Sequence, residues 1–244
     1  MFIEGKNSVY EALNSDATCN KLLVNKAVRD NESNKIIQLA KDKHIRIDFV
    51  DKQVLDRMSE SKNHQGFIAE VTEFKYCEVE DILKFAEERK EDPFIVILDG
   101  IEDPHNLGNI IRSCEGMGVH GIIIGRNRAC AVNGTVIKVS SGAANYMKIA
   151  RVTNINAEID KLKSKNIWVY ATDMKGESIY TKNLTGAIAL VIGGEGDGIS
   201  ALTLKKCDGV ISIPMKGRIE SLNAGVSAGI VVYEILRQRS LGKR

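Results

Sequence analysis

The sequence predicts an α/β protein in which a small α/β domain precedes a larger, doubly wound one. Three observations carry this. Five apolar runs of strand length, at 94–98, 121–124, 167–171, 189–192 and 210–213, alternate with helical patterns at 107–117, 133–144, 155–165 and 199–206. Such runs fit strands covered on both faces of a parallel sheet, and the alternation is how those sheets are built. A shorter set of strand and helix patterns fills residues 1–72, and the composition turns acidic over 73–92.

In order, residues 5–13 read as a helix with Val9, Ala12 and Leu13 on one face and Asn7 or Ser8 as its cap. A strand at 21–24, a helix at 34–43, a strand at 45–50, a helix at 52–58 and a strand at 66–71 complete the first domain. His64-Gln65-Gly66 reads as a turn, either a surface loop or a place that touches a ligand. Residues 73–92 read as an acidic linker that partly docks through an amphipathic helix bearing Val79, Ile82, Leu83, Phe85 and Ala86, ending at Pro93. Residues 93–244 are the second domain, closed by a helix from about Asn223 to Arg239. Gly225 and Gly229 in that helix cost propensity, roughly 1 kcal/mol each, which close packing on the rest of the domain or on a partner subunit offsets.

Composition removes several classes. No run of eighteen apolar residues and no signal-peptide pattern occurs, so a cytoplasmic protein without a membrane span is expected. Five scattered cysteines without C-x-x-C, and four histidines without ligand spacing, read as reduced thiols and no metal site. The net charge of +2 divides into 0 for residues 1–72, −4 for 73–92 and +6 for 93–244. The excess in the last part is compatible with a polyanion partner.

Two late turns carry the polar chemistry. One is Val191-Ile192-Gly193-Gly194-Glu195-Gly196-Asp197-Gly198. The other runs from Ile213-Pro214 to Ser221-Leu222-Asn223. Glycine lets backbone approach a ligand with no Cβ in the way. Gly196-x-Gly198-x-x-Ala201 satisfies a loose dinucleotide fingerprint, but it lies late in its domain and holds acids that repel a pyrophosphate. A cationic or neutral ligand suits it better. A third cluster follows the first long strand: Asp99-Gly100-Ile101-Glu102-Asp103-Pro104-His105-Asn106, then Leu107 to Arg112. Asn106 stands where a helix N-cap would. Arg112, six residues on, points about 120° around the helix from it. From these residues alone, Asn106 is a cap or a site residue, and Arg112 a solvated or a functional arginine.

Together the three stretches resemble the SpoU (TrmH) branch of the SPOUT RNA methyltransferases. Residues 99–112 resemble its first motif, 191–198 its second and 213–226 its third. The start of the chain, with Gly66, resembles the L30e-like RNA substrate-binding domain of RlmB-type members. The resemblance implies a mostly parallel sheet with a deep trefoil knot. It implies S-adenosylmethionine bound in that knot, a homodimer, and methylation of a ribose 2′-hydroxyl in RNA, most closely a guanosine of 23S rRNA. Asn106, Arg112, Glu195, Ser221 and Asn223 would be catalytic, while Gly193, Gly194, Gly196, Ile213 and Leu222 would contact the cofactor. A tRNA ribose methyltransferase and a non-catalytic RNA-binding assembly factor are the alternatives.

Overall fold

The structure is a computed structural model, and it describes residues 2–14, 18–59, 62–72, 74–196, 198–218 and 221–241. Glu73, where the acidic stretch starts, and Asp197, one of the turn acids, lie outside the described residues. The chain divides into two compact units: residues 1–75 with 131–135, and residues 76–130 with 136–244.

The first unit runs β1 (Phe2–Glu4), α1 (Lys6–Asn14), β2 (Thr18–Asn25), α2 (Asn31–Asp42), β3 (Arg46–Val50), α3 (Lys52–Met58) and β4 (Phe67–Thr72). Its sheet has the order β1-β4-β2-β3, with β2 and β3 parallel and β4 antiparallel to both its neighbours. Val9 and Leu13 of α1 and Ile36 and Ala40 of α2 are buried against Leu22, Val24, Phe67 and Ala69. Asp30 caps α2 by accepting from the Ser33 N–H at 3.0 Å. β1 has only three residues, too few for a period to be read from sequence.

The second unit runs α4 (Val79–Glu88), β5 (Phe94–Asp99), α5 (Pro104–Gly116), β6 (Gly121–Gly125), α6 (Gly134–Val139, its first two residues falling in the first unit), β7 (Ile149–Val152), α7 (Ile155–Ser164), β8 (Trp168–Ser178), β9 (Ile188–Gly193), α8 (Ala201–Lys206), β10 (Gly209–Ser212) and α9 (Ala224–Leu241). Six parallel strands form one sheet in the order β10-β8-β9-β5-β6-β7. The five apolar runs are strands of it, and β7 is a sixth that the sequence reading did not anticipate. β5, β6 and β9 are buried almost throughout, as continuous apolar runs require. α4 sets Val79, Ile82 and Ala86 into this unit's interior, and a Cβ on Gly121 would come within 2.5 Å of Ile82.

Two helix expectations are corrected. The pattern at 133–144 is not one helix: α6 stops at Val139, Ser141 and Gly142 take positive φ, and a 3-10 turn covers Ala143–Asn145. α5 starts at Pro104, not Leu107. Asp103 is its N-cap, accepting from the Asn106 N–H at 3.0 Å, and proline takes the first position, where no N–H is needed. Asn106 is therefore inside the helix, and a cap role does not account for it.

His120 ties the start of β5 in place. It is 1 % exposed, its Nδ1 accepts the Phe94 N–H at 2.9 Å, and its Nε2 lies 3.1 Å from Glu91. Burial lowers its pKa below the usual histidine value, outweighing the Glu91 contact. The folded chain thus resists a proton that the unfolded chain accepts, so this contribution is complete above about pH 6.5 and declines as the pH falls toward the lower folded value. In thermal melts between about pH 7.5 and 5.5, the wild-type midpoint should fall more than that of His120→Gln. Parallel curves would assign the acid sensitivity to other groups.

Candidate active site

Three loops at the C-terminal ends of the sheet strands interlock, and each contact has a residue that makes it possible. After β5, the Asp99 carbonyl accepts the Gly194 N–H at 2.9 Å and its carboxylate accepts the Ser200 N–H at 3.0 Å. The loop after β9 is thus tied to the loop after β5 at both ends. Gly194 sits so close to Gly100 that a Cβ would come within 2.0 Å of its carbonyl oxygen, and a Cβ on Gly193 would come within 2.4 Å of Gly198. Gly196 has φ +101°, a conformation glycine alone adopts readily.

The third loop arrives from β10 and ends at Asn223. This one amide does two jobs. Its Oδ1 accepts from the N–H groups of Gly225 and Val226, at 2.9 and 3.3 Å, and so caps α9. Its Nδ2 donates to Asn106 Oδ1 at 2.9 Å and to Glu195 Oε1 at 2.7 Å. Both amide hydrogens are spent, and the orientation of the side chain follows from its partners. One side chain thereby joins residues from all three stretches. The cap of α9 is Asn223, so capping does not account for Ser221.

The second and third loops enclose a cavity of about 560 Å³, within the range of small-molecule sites. Gly193, Gly194, Gly196, Ile213 and Leu222 line it, as do Glu195, Ser221 and Asn223. Asn106 is buried and joins the cavity through Asn223. Arg112 is not brought there. It is exposed on α5, away from the cavity lining, with no hydrogen bond or ion pair among the described residues.

The sequence reading missed Thr172, Asp173 and Met174, which also line the cavity. They lie on β8 beyond Ala171, where its apolar run ends in the sequence. Gly225 and Gly229 face α5: a Cβ on Gly225 would come within 3.2 Å of Asn109, and one on Gly229 within 3.6 Å of Ser113. None of the five cysteines forms a disulfide among the described residues, and burial pushes the thiol of Cys207 to about 11 and that of Cys130 to about 12. Neither is a thiolate near neutrality. No helix of the described residues is long and apolar enough to cross a membrane.

Residues 93–233 match the SpoU rRNA Methylase family, and residues 2–77 match the family described as RNA 2′-O ribose methyltransferase substrate binding. YacO of Bacillus subtilis (strain 168), whose name places it in the TrmH family of tRNA/rRNA methyltransferases, is 42 % identical over 241 residues, 98 % of this chain and 96 % of its own length. The SpoU methyltransferase AviRb of Streptomyces viridochromogenes, solved with AdoMet, superposes with a TM-score of 0.64 at 24 % identity, covering 99 % of this chain and 91 % of its own. An AdoMet-bound rRNA methyltransferase of Sinorhizobium meliloti superposes with a TM-score of 0.61 at 23 % identity, covering 97 % and 86 %. With two family matches that together span nearly all of its length, the chain belongs to the SpoU family of RNA methyltransferases.

Proposed function

We propose that this chain transfers a methyl group from S-adenosylmethionine to a ribose 2′-hydroxyl in RNA, most closely a guanosine of 23S rRNA. The observation that carries the reading is the Asn223 amide, which bridges Asn106 and Glu195 at the mouth of the glycine-walled cavity. The cavity suits that donor. Ile192, Ile199 and Ile211 supply an apolar floor, Gly193, Gly194 and Gly196 leave backbone bare, and Asp173 and Glu195 offset a ligand's positive charge. Ile213 and Leu222 would hold the adenosine part.

Bound there, S-adenosylmethionine supplies an electrophilic methyl group on a sulfonium. The chain's own part is positioning and proton management. Asn106, Glu195, Ser221 and Asn223 orient the ribose by hydrogen bonds, and Arg112 anchors the adjacent phosphate and lowers the hydroxyl's pKa. Fixing the two reactants in line supplies up to ~7–11 kcal/mol of the barrier in ideal cases. Residues 1–72 form the RNA-binding domain and 93–244 the catalytic domain, knotted where the segments around 192–199 and 211–223 share one cavity. The working form is a homodimer. Its support is a stripe on α9, where Val226, Ile230 and Tyr233 are 52 %, 37 % and 59 % exposed.

Labelled methyl transfer onto 23S rRNA and tRNA transcripts tests this. The expected product is label on one rRNA nucleotide whose 3′ linkage resists alkali. Label on tRNA alone moves the substrate to the other class. Donor binding without transfer to either leaves an RNA-binding factor.

A further inference from the structure

β8 outlasts its apolar run. It pairs with β10 at Tyr170 and Ala171, opposite Gly209 and Val210, and again at Glu177 and Ser178, opposite Ile211 and Ser212. Between these points residues 172–176 leave the ladder with no counterpart on β10. The excursion is pinned at both ends. Thr172 Oγ1 donates to the Val191 carbonyl at 3.1 Å, and Ser212 Oγ donates to the Gly176 carbonyl at 2.9 Å. A Cβ on Gly176 would come within 2.5 to 2.7 Å of the Ile211 backbone, so the return to the ladder needs glycine there. The excursion carries Asp173 onto the cavity wall. Asp173 Oδ1 accepts the Lys175 N–H at 2.9 Å, which fixes the carboxylate, and its second oxygen has no hydrogen-bond partner among the described residues.

We propose that Asp173 receives the α-ammonium group of the methyl donor's methionine part. The assignment rests on the methyltransferase reading and deepens it. The donor has two positive centres, a sulfonium and an ammonium, and only the ammonium carries N–H groups. A carboxylate on the cavity wall, held by one oxygen and unbonded at the other, suits an N–H donor. Pairing of two ionised partners makes such a bond roughly twice as strong as a neutral one, which favours the ammonium over the adenine amino group. Glu195, the other described acid of the lining, is already engaged by Asn223. The ammonium survives methyl transfer, so Asp173 holds donor and spent product alike.

Calorimetry on the full chain reads this out with three probes: S-adenosylmethionine, S-adenosylhomocysteine and 5′-methylthioadenosine, which lacks the amino-acid part. Asp173→Asn should weaken the first two equally, by about 10- to 30-fold, and leave the third within about twofold. Equal weakening of methylthioadenosine would assign Asp173 to the adenosine. Weakening of S-adenosylmethionine alone would assign it to the sulfonium, and three unchanged affinities would remove it from recognition; each of these overturns the proposal. Should Asp173→Asn fold poorly, Asp173→Ser keeps an acceptor for the Lys175 N–H and is read in the same way. A wild-type chain that binds none of the probes overturns the methyltransferase reading itself, and the assignment with it.

Discussion

Gly194→Ala should weaken binding of S-adenosylhomocysteine by about 100-fold or more, measured by calorimetry on folded protein. The added Cβ would lie 2.0 Å from the Gly100 carbonyl oxygen and 2.7 Å from its carbonyl carbon. Backbone cannot swing aside as the end of a side chain can. The two loops are also tied by the Asp99 carbonyl to the Gly194 N–H and by the Asp99 carboxylate to the Ser200 N–H. A shift that relieves the clash therefore breaks one of these bonds and moves the cavity wall. Overpacking of this kind costs typically ~1–3 kcal/mol, and more where neighbours cannot yield. Gly116→Ala is the control. Nothing lies within 4 Å of a Cβ there, so it should bind like wild type and melt slightly higher, because alanine favours the helix. Wild-type affinity in Gly194→Ala would mean that the donor binds away from this cavity.

The same close approaches explain what the sequence made legible. Loop contacts leave marks when they demand glycine. Gly193-Gly194-x-Gly196 and the apolar strand before it were readable because both are local patterns. Five of the six strands of the larger sheet are legible for a similar reason, since they are apolar runs, whereas β7 has four residues and carries Arg151. What stayed hidden depends on pairing between distant segments. The excursion at 172–176 exists only because β10 pairs with β8 on either side of it. In sequence, Thr172-Asp173-Met174 carries no period or motif that marks it. For Asn106 the sequence leaves a cap and a site role open, because Asp103 before Pro104 is an equally good cap and only the structure shows that it takes the position. Asn223 was placed in the site from a motif, but its double role requires the distance to Asn106, 117 residues earlier.

Arg112→Ala should lower methyl transfer by about 10²- to 10³-fold, the size of loss seen when one charge-stabilising donor is removed, while donor affinity stays unchanged. Affinity is spared because Arg112 does not line the cavity. A guanidinium keeps its proton and is a poor base, so phosphate anchoring is the favoured role. Arg112→Lys then recovers part of the rate with the pH profile of wild type, whereas a retained rate with a large shift of that profile would favour the base role. Arg112 is exposed on α5 between Asn109 and Ser113, which lie against Gly225 and Gly229 of α9. The exposed stripe of Val226, Ile230 and Tyr233 is on that same α9. An arginine outside its own cavity's lining either swings to that cavity or serves the site of a second copy packed on this stripe. Mixing Arg112→Ala with Gly194→Ala protein, each inactive alone, separates the cases. If the arginine acts across the interface, random exchange restores about a quarter of wild-type activity, because half the dimers then hold one complete site. If it acts within its own chain, no mixed dimer holds a complete site and activity stays at the level of the single variants.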